Sequence, residues 1–123
     1  MMGVQAGLLV ARSARPMHGA TKSIVIKCSD GIFAGLPGTV RMGCYHSLVV
    51  AQMSRRLNPG WRVTATCDQG EVMGLEFGNG ADALTAGVQF HPESFLSKES
   101  DAMADNWIRS VRLWYGLRRQ KAR

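Results

Sequence analysis

The chain has 123 residues, 46% of them hydrophobic and 20% charged, which is the balance of a folded globular domain. That length supports one domain with a real core and is short for two, and no apolar run approaches the ~20 residues of a membrane-spanning helix. The net charge of +6 comes entirely from Arg109, Arg112, Arg118, Arg119, Lys121 and Arg123, because the rest of the chain holds nine basic and nine acidic residues.

The opening MMGVQAGLLVARSARPM is apolar, arginine-bearing and free of acids. It loosely matches a transit peptide or a signal h-region, but lacks the serine-rich length of the first and the cleavage site of the second. A buried piece of helix or strand is the simpler account. ARPMHGATKS is turn-rich, and SIVIKC is a β-branched run that predicts a strand. In SDGIFAGLPG, Gly31, Gly35, Pro37 and Gly38 mark turns around Ile32, Phe33 and Leu36. TVRMGCYHSLVV predicts a strand, a bend at Tyr45-His46-Ser47, and more extended chain. SRRLNPG predicts a surface loop turning at Asn58-Pro59-Gly60.

WRVTATC alternates, which predicts Trp61, Val63, Ala65 and Cys67 on one face. With the DQGE turn and the run VMGLEF, residues 61–77 form a predicted hairpin. GNGADA predicts a flexible turn, and AGVQF a short apolar strand of the kind buried in a mixed or parallel sheet. A helix over 99–118 follows, capped by Ser97 or Ser100 and followed by a basic tail over 118–123. Met103, Trp107, Ile108, Val111, Trp114 and Tyr115 recur along it at helical spacing. The tail reads most simply as a solvated cationic helix end that suits the helix dipole; the alternative is attraction to nucleic acid or an acidic partner. One convincing helix is few for an open α/β sheet, which needs helices on both faces. The inventory fits a small α+β domain, or a larger domain of which the front part is not in this sequence.

Cys28, Cys44 and Cys67 are odd in number and widely spaced, with no metal-ligand or disulfide pattern, so a reducing, cytoplasmic setting is the expectation. The residues richest in chemistry are GVQFHPES, 87–94. His91 and Glu93 flank Pro92 at the end of an apolar run, and residues i and i+2 of a strand point the same way. A carboxylate beside one imidazole nitrogen fixes the tautomer and stabilises the imidazolium, leaving the other nitrogen free to take a proton. On three residues alone, a strand end with a solvated carboxylate is the plainer reading.

The whole octapeptide resembles the closing signature of class I glutamine amidotransferases of the triad type. PMHG (16–19) and CYHSLVV (44–50) resemble two further segments of that family, in the expected order, and FAGLP (33–37) and GEVMG (70–74) fall where the family has them. The resemblance covers nearly all of the chain. Within the family it looks like the branch of anthranilate synthase component II and the glutaminase subunit of aminodeoxychorismate (p-aminobenzoate) synthase. It implies a class I glutamine amidotransferase-like (flavodoxin-like) α/β fold with a mixed sheet, present as a single partial domain over 1–123 and truncated at the N-terminus. Residues 1–15 would be a remnant before the M-H-G segment.

The resemblance also implies roles. His91 would be the general base and acid, Glu93 its orienter, and Ser47 and Leu48 the pair whose backbone holds the glutamine substrate. Tyr45 and His46 would shape that loop, and His18 and Gly19 would lie near a synthase-facing side. No cofactor and no metal are implied; the partner is a synthase subunit or fused domain that uses chorismate. The family's nucleophile is a cysteine in a G-x-C-x-G-x-Q elbow that should precede PMHG, and MMGVQAGLLVARSAR contains none. Cys44, beside the substrate loop, is the best stand-in, but each cysteine reads more simply as structural. The expectation is a glutaminase fragment inactive alone. The alternatives are a degenerate partner-binding module of a synthase complex, or a basic-tail binder of nucleic acid or an acidic partner.

Overall fold

The computed structural model describes residues 2–51, 56–78 and 85–123. Its elements are α1 (Met2–Gln5), β1 (Leu9–Arg12), β2 (Ala20–Ile26), β3 (Thr39–Cys44), β4 (Leu48–Ala51), β5 (Trp61–Cys67), β6 (Glu71–Phe77), β7 (Thr85–Val88) and α2 (Ser100–Lys121), with a 3-10 turn at Gly31–Phe33. The strands form one sheet in the order β1-β4-β6-β5-β2-β3, and β7 shares an edge of β6 with β4. Every described strand pairing is antiparallel. The turn expected over 78–83 lies, past Gly78, outside the described residues.

The α/β architecture holds, with helices on opposite faces of the sheet. One face buries Ile24, Phe33, Val40, Met42, Met73, Phe90 and Met103, the last from α2. The other packs Ala6 and Leu8, from the segment after α1, against Val72 and Leu75. Asn106 fastens α2 to the 3-10 turn, its amide donating to the carbonyls of Ile32 (3.1 Å) and of Ala34 (2.8 Å) just after it.

The connection β3–β4 bends the sheet. These strands stand four spacings apart in the strand order, roughly 19 Å in a flat sheet. Only Tyr45, His46 and Ser47 join them, a link that reaches about 14 Å at most. The sheet therefore curls until the ends of β3 and β4 lie within that reach, and the Tyr45–Ser47 bend spans the gap.

Three expectations are corrected. Trp61, Val63, Ala65 and Cys67 do not share a face: Trp61 and Val63 pack on the α1 side, Ala65 and Cys67 on the α2 side. Register shifts between Val63 and Ala65, and between Ala65 and Thr66, form a bulge that reverses the alternation. Neither Ser97 nor Ser100 caps α2; the cap position is Glu99, in a left-handed conformation (φ 65°) with no side-chain cap bond. Ser97 instead hydrogen-bonds to Gly43 and His91. The helix also continues to Lys121, through most of the expected tail, and buries only Met103, Asn106 and Ser110. Of the residues that recur along it at helical spacing, Ile108 and Tyr115 are 47% and 62% exposed.

Candidate active site

His91 and Glu93 lie on the turn after β7. The Nδ1 atom of His91 is 2.7 Å from Oε1 of Glu93. The hydrogen bond from His91 holds the Glu93 carboxyl below its ordinary value. Both side chains are open to water, His91 at 42% and Glu93 at 73% exposure, so solvent screens the pair. With Nδ1 committed to Glu93, Nε2 is the nitrogen left for chemistry.

The turn is pinned to the outer edge of β3. The amide of His91 donates to the Gly43 carbonyl at 2.9 Å in an isolated antiparallel bridge, and the amide of Lys98 donates to Arg41 O at 3.0 Å. The Ser97 hydroxyl donates to the His91 carbonyl (2.6 Å) and accepts from the Gly43 amide (2.9 Å). Gly43 has no room for a side chain: a Cβ there would lie 2.8 Å from Ser94 Oγ and 3.1 Å from Leu96 Cβ. The Tyr45 ring meets the His91 ring edge-on at 5.2 Å, and its hydroxyl lies 3.1 Å from Ser94 Oγ.

The bend at 45–47 is held from three sides. The amides of Ser13, Met17 and Gly19 donate to the carbonyls of Ser47 (2.8 Å), His46 (2.8 Å) and Cys44 (3.1 Å). Leu48 O accepts from His46 Nδ1 at 3.1 Å and Gln89 Nε2 at 3.4 Å. The bond from Ser13 to Ser47 makes Arg12–Leu48 a non-hydrogen-bonded pair, so the N–H and C=O of Leu48 both point away from β1. Ser47 and Leu48 are otherwise exposed.

His46 is buried, and because a carbonyl only accepts, its proton sits on Nδ1. Its Nε2 is buried with no hydrogen-bond partner among the described residues. Burial pushes the His46 imidazolium below its ordinary value, and the nearby Lys22 ammonium adds to that. Lys22 in turn pairs with Glu71 at 2.8 Å, the two side chains only 8% and 15% exposed. Burial disfavours the Lys22 ammonium, but the hydrogen bond and charge of Glu71 outweigh it and raise its pKa.

The three motif stretches are thus brought together, while two of their residues stand apart. His18 is exposed, and its ring makes no hydrogen bond among the described residues. Cys44 is fully buried, its thiol against Met42 O at 3.7 Å, and burial raises the thiol's pKa despite Lys22; burial raises that of Cys28 as well. Sequence reasoning missed Gly43, Gln89, Ser94 and Ser97, which position the motif residues. The one available signal was the glycine preceding Cys44-Tyr45-His46.

The family model for class-I glutamine amidotransferases matches residues 1–111. The chain belongs to that family. It is similar to aminodeoxychorismate synthase component 2 of Klebsiella aerogenes, 37% identical over 102 residues, which cover 83% of this chain and 51% of the relative. It is also similar to anthranilate synthase component 2 of Archaeoglobus fulgidus, 40% identical over 93 residues covering 76% of this chain and 47% of the relative. The chain therefore spans about half the length of these curated relatives. A solved structure of a glutamine amidotransferase from Thermotoga maritima superposes with a TM-score of 0.59 at 18% identity, covering 98% of this chain and 45% of that one. A second, from Thermoplasma acidophilum and described as part of a GMP synthase, superposes with a TM-score of 0.78 at 19% identity, covering 96% of this chain and 55% of that one. These likenesses bear on the fold, which is the expected α/β amidotransferase fold. No described helix is long and apolar enough to cross a membrane.

Proposed function

We propose that residues 1–123 supply the histidine–carboxylate half, and part of the glutamine-binding surface, of a glutaminase that delivers ammonia to a chorismate-using synthase. The observation that carries this reading is the convergence of PMHG, CYHSLVV and HPES around one imidazole already oriented by Glu93. His91 is the base and acid, and Glu93 keeps its ring turned and stabilises the imidazolium. Ser47 and Leu48 are the backbone pair proposed for the glutamine: the Leu48 N–H faces away from β1, while the Ser47 carbonyl is held by the Ser13 amide. Tyr45 and His46 hold that bend.

In the proposed reaction a cysteine thiol carried outside these residues loses its proton to His91 and attacks the carboxamide carbon. The C–N bond breaks, and His91 returns the proton to the departing ammonia. Water, deprotonated by the same nitrogen, then opens the thioester to glutamate, and the thiol regains its proton. Cys28, Cys44 and Cys67 take no part in this scheme. Losing a triad nucleophile costs of order 10⁶ in rate in a protease with the same logic. Residues 1–123 by themselves are therefore expected to release no ammonia from glutamine above background. Glutamine-dependent ammonia release that vanishes in His91→Ala would overturn this. The reading places the reaction in the cytoplasm, in keeping with three free cysteines.

A second reading, a non-catalytic module that docks on a synthase, draws support from the apolar surface left open on one side of α2 at Ile108 and Tyr115. Co-purification with a chorismate-using synthase, with no ammonia produced by the complex under any condition, would favour it.

A further inference from the structure

The segments 16–19, 44–50 and 87–94 meet at one aromatic ring, that of Tyr45. Gly19 lies behind it in a left-handed conformation (φ 76°), and a Cβ at Gly19 would lie 3.1 Å from Tyr45 Cε1 and 3.7 Å from Cζ. The Gly19 amide donates to the Cys44 carbonyl at 3.1 Å, which fixes the glycine beside the ring it seats. At the other end the Tyr45 hydroxyl lies 3.1 Å from Ser94 Oγ, which also accepts from the Leu96 amide at 3.2 Å. The ring meets the His91 imidazole at a centroid distance of 5.2 Å with 82° between the planes, an edge-to-face geometry that aromatic pairs favour.

Glu93 by itself is a weak holder of that imidazole. The carboxylate is 73% exposed, and a pair so open to water gains little against the freedom of its side chains. The bridge between Gly43 and His91 fixes where the His91 side chain starts, but not its rotation about Cα–Cβ and Cβ–Cγ. Burial does not fix that rotation either, because His91 is 42% exposed. A ring gripped at Gly19 and Ser94 and laid against the imidazole does restrict it.

We propose that Tyr45 is a positioning residue for His91, setting the plane of the imidazole so that Nδ1 stays on Glu93 and Nε2 stays free, with Gly19 as the seat of the tyrosine ring. The role rests on the glutaminase reading above, in which Nε2 carries the proton. It gives Tyr45 a task beyond holding the 45–47 bend, and it explains why the segment PMHG ends in a glycine at this point. The bond made by one imidazole nitrogen decides which nitrogen of the neutral ring is protonated. With the ring held against Glu93 the proton sits on Nδ1, and release of the ring into water moves it toward Nε2.

NMR of the whole chain at alkaline pH, where the imidazole is neutral, tests this through ring ¹⁵N shifts and ring-to-ring NOEs. The parent is expected to show NOEs between the Tyr45 and His91 rings and a proton on Nδ1. Tyr45→Leu should shift the tautomer ratio toward Nε2–H by about fivefold, and Tyr45→Phe, which keeps the ring, by less than about twofold. Gly19→Ala, which pushes the ring from its seat, should follow Tyr45→Leu. A role in stability alone would lower the urea midpoint of Tyr45→Leu and leave its tautomer ratio unchanged, and that result overturns the proposal. So does the absence of the Tyr45–His91 NOE in the parent, an outcome that needs no variant to fold. Ammonia release is read separately, from this chain co-expressed with the part of the Klebsiella aerogenes relative outside the matched 102 residues. There Tyr45→Leu should lower kcat about tenfold or more and change KM for glutamine less than about threefold, because the ring touches the base and not the substrate pair. Ammonia release with kcat unchanged in Tyr45→Leu overturns the positioning role. No ammonia from the parent assembly, with the NOE and the tautomer shift in place, rejects the glutaminase reading and leaves Tyr45 as the holder of His91.

Discussion

Gly43 and His91 face each other across an isolated antiparallel bridge, the His91 amide donating to the Gly43 carbonyl at 2.9 Å. This contact fixes the candidate base to the edge of β3 instead of leaving it on a free turn. It works only because position 43 has no side chain, since Ser94 and Leu96 fill the space a Cβ would need.

Gly43→Ala should therefore push the 91–98 turn outward. Overpacking of this kind costs about 1–3 kcal/mol. Urea unfolding checks the stability, and amide exchange at His91 and Lys98 checks the position of the turn. Unchanged exchange at both amides would show that the bridge does not hold the turn.

The Lys22–Glu71 pair spans β2 and β6 in a nearly dry setting. Lys22→Met alone leaves the largely buried Glu71 carboxylate with only the weak Cys67 thiol as donor, and breaking a fully buried pair costs about 3–5 kcal/mol, an upper bound here. The double change Lys22→Met with Glu71→Leu should recover most of that in urea unfolding. If the double variant is as unstable as the single one, packing and not charge is what the pair supplies.

His46 predicts a dependence on pH. Its folded-state pKa is lowered, first by burial and then by Lys22, with the Leu48 carbonyl and Glu71 opposing and the neighbouring His91 adding a little. As pH falls below 6.5, the unfolded chain takes up a proton before the folded one does. The stability His46 contributes is thus complete above 6.5 and is lost as pH falls from there through the lowered value. His46→Asn keeps a donor near Nδ1 and removes the titration, so this part of the acid slope should vanish in unfolding measured at stepped pH. A slope identical to the parent's would assign it to other groups.

Glu93 titrates below its ordinary value of 4.5, chiefly because His91 donates to it. His91→Ala should raise the Glu93 midpoint toward 4.5, read from the side-chain carboxyl ¹³C shift. The stabilisation from this pair is present above 4.5 and is lost as pH falls through the lowered value. A midpoint that does not move would mean that the imidazole and carboxylate are not bonded in solution.

By itself the sequence determined the family resemblance, the hairpin at 61–77, the bend at 45–47 and the His91–Glu93 pair. All of these rest on neighbours along the chain, and local spacing reports such relationships. Tertiary structure alone decided what depends on contacts across the sheet. The bulge after Val63 sends Trp61 and Ala65 to opposite faces, a change that strict alternation of residue types conceals. Ser97, which looks like a helix cap, is drawn to Gly43 and His91 because the turn must satisfy its backbone against β3. The apolar spacing in α2 shows that Ile108 and Tyr115 share a side of the helix, but helical periodicity does not say whether anything covers that side. The curl forced by the short β3–β4 link brings PMHG, CYHSLVV and HPES together, so a histidine–carboxylate pair that is only a motif in the sequence becomes a candidate site in the fold.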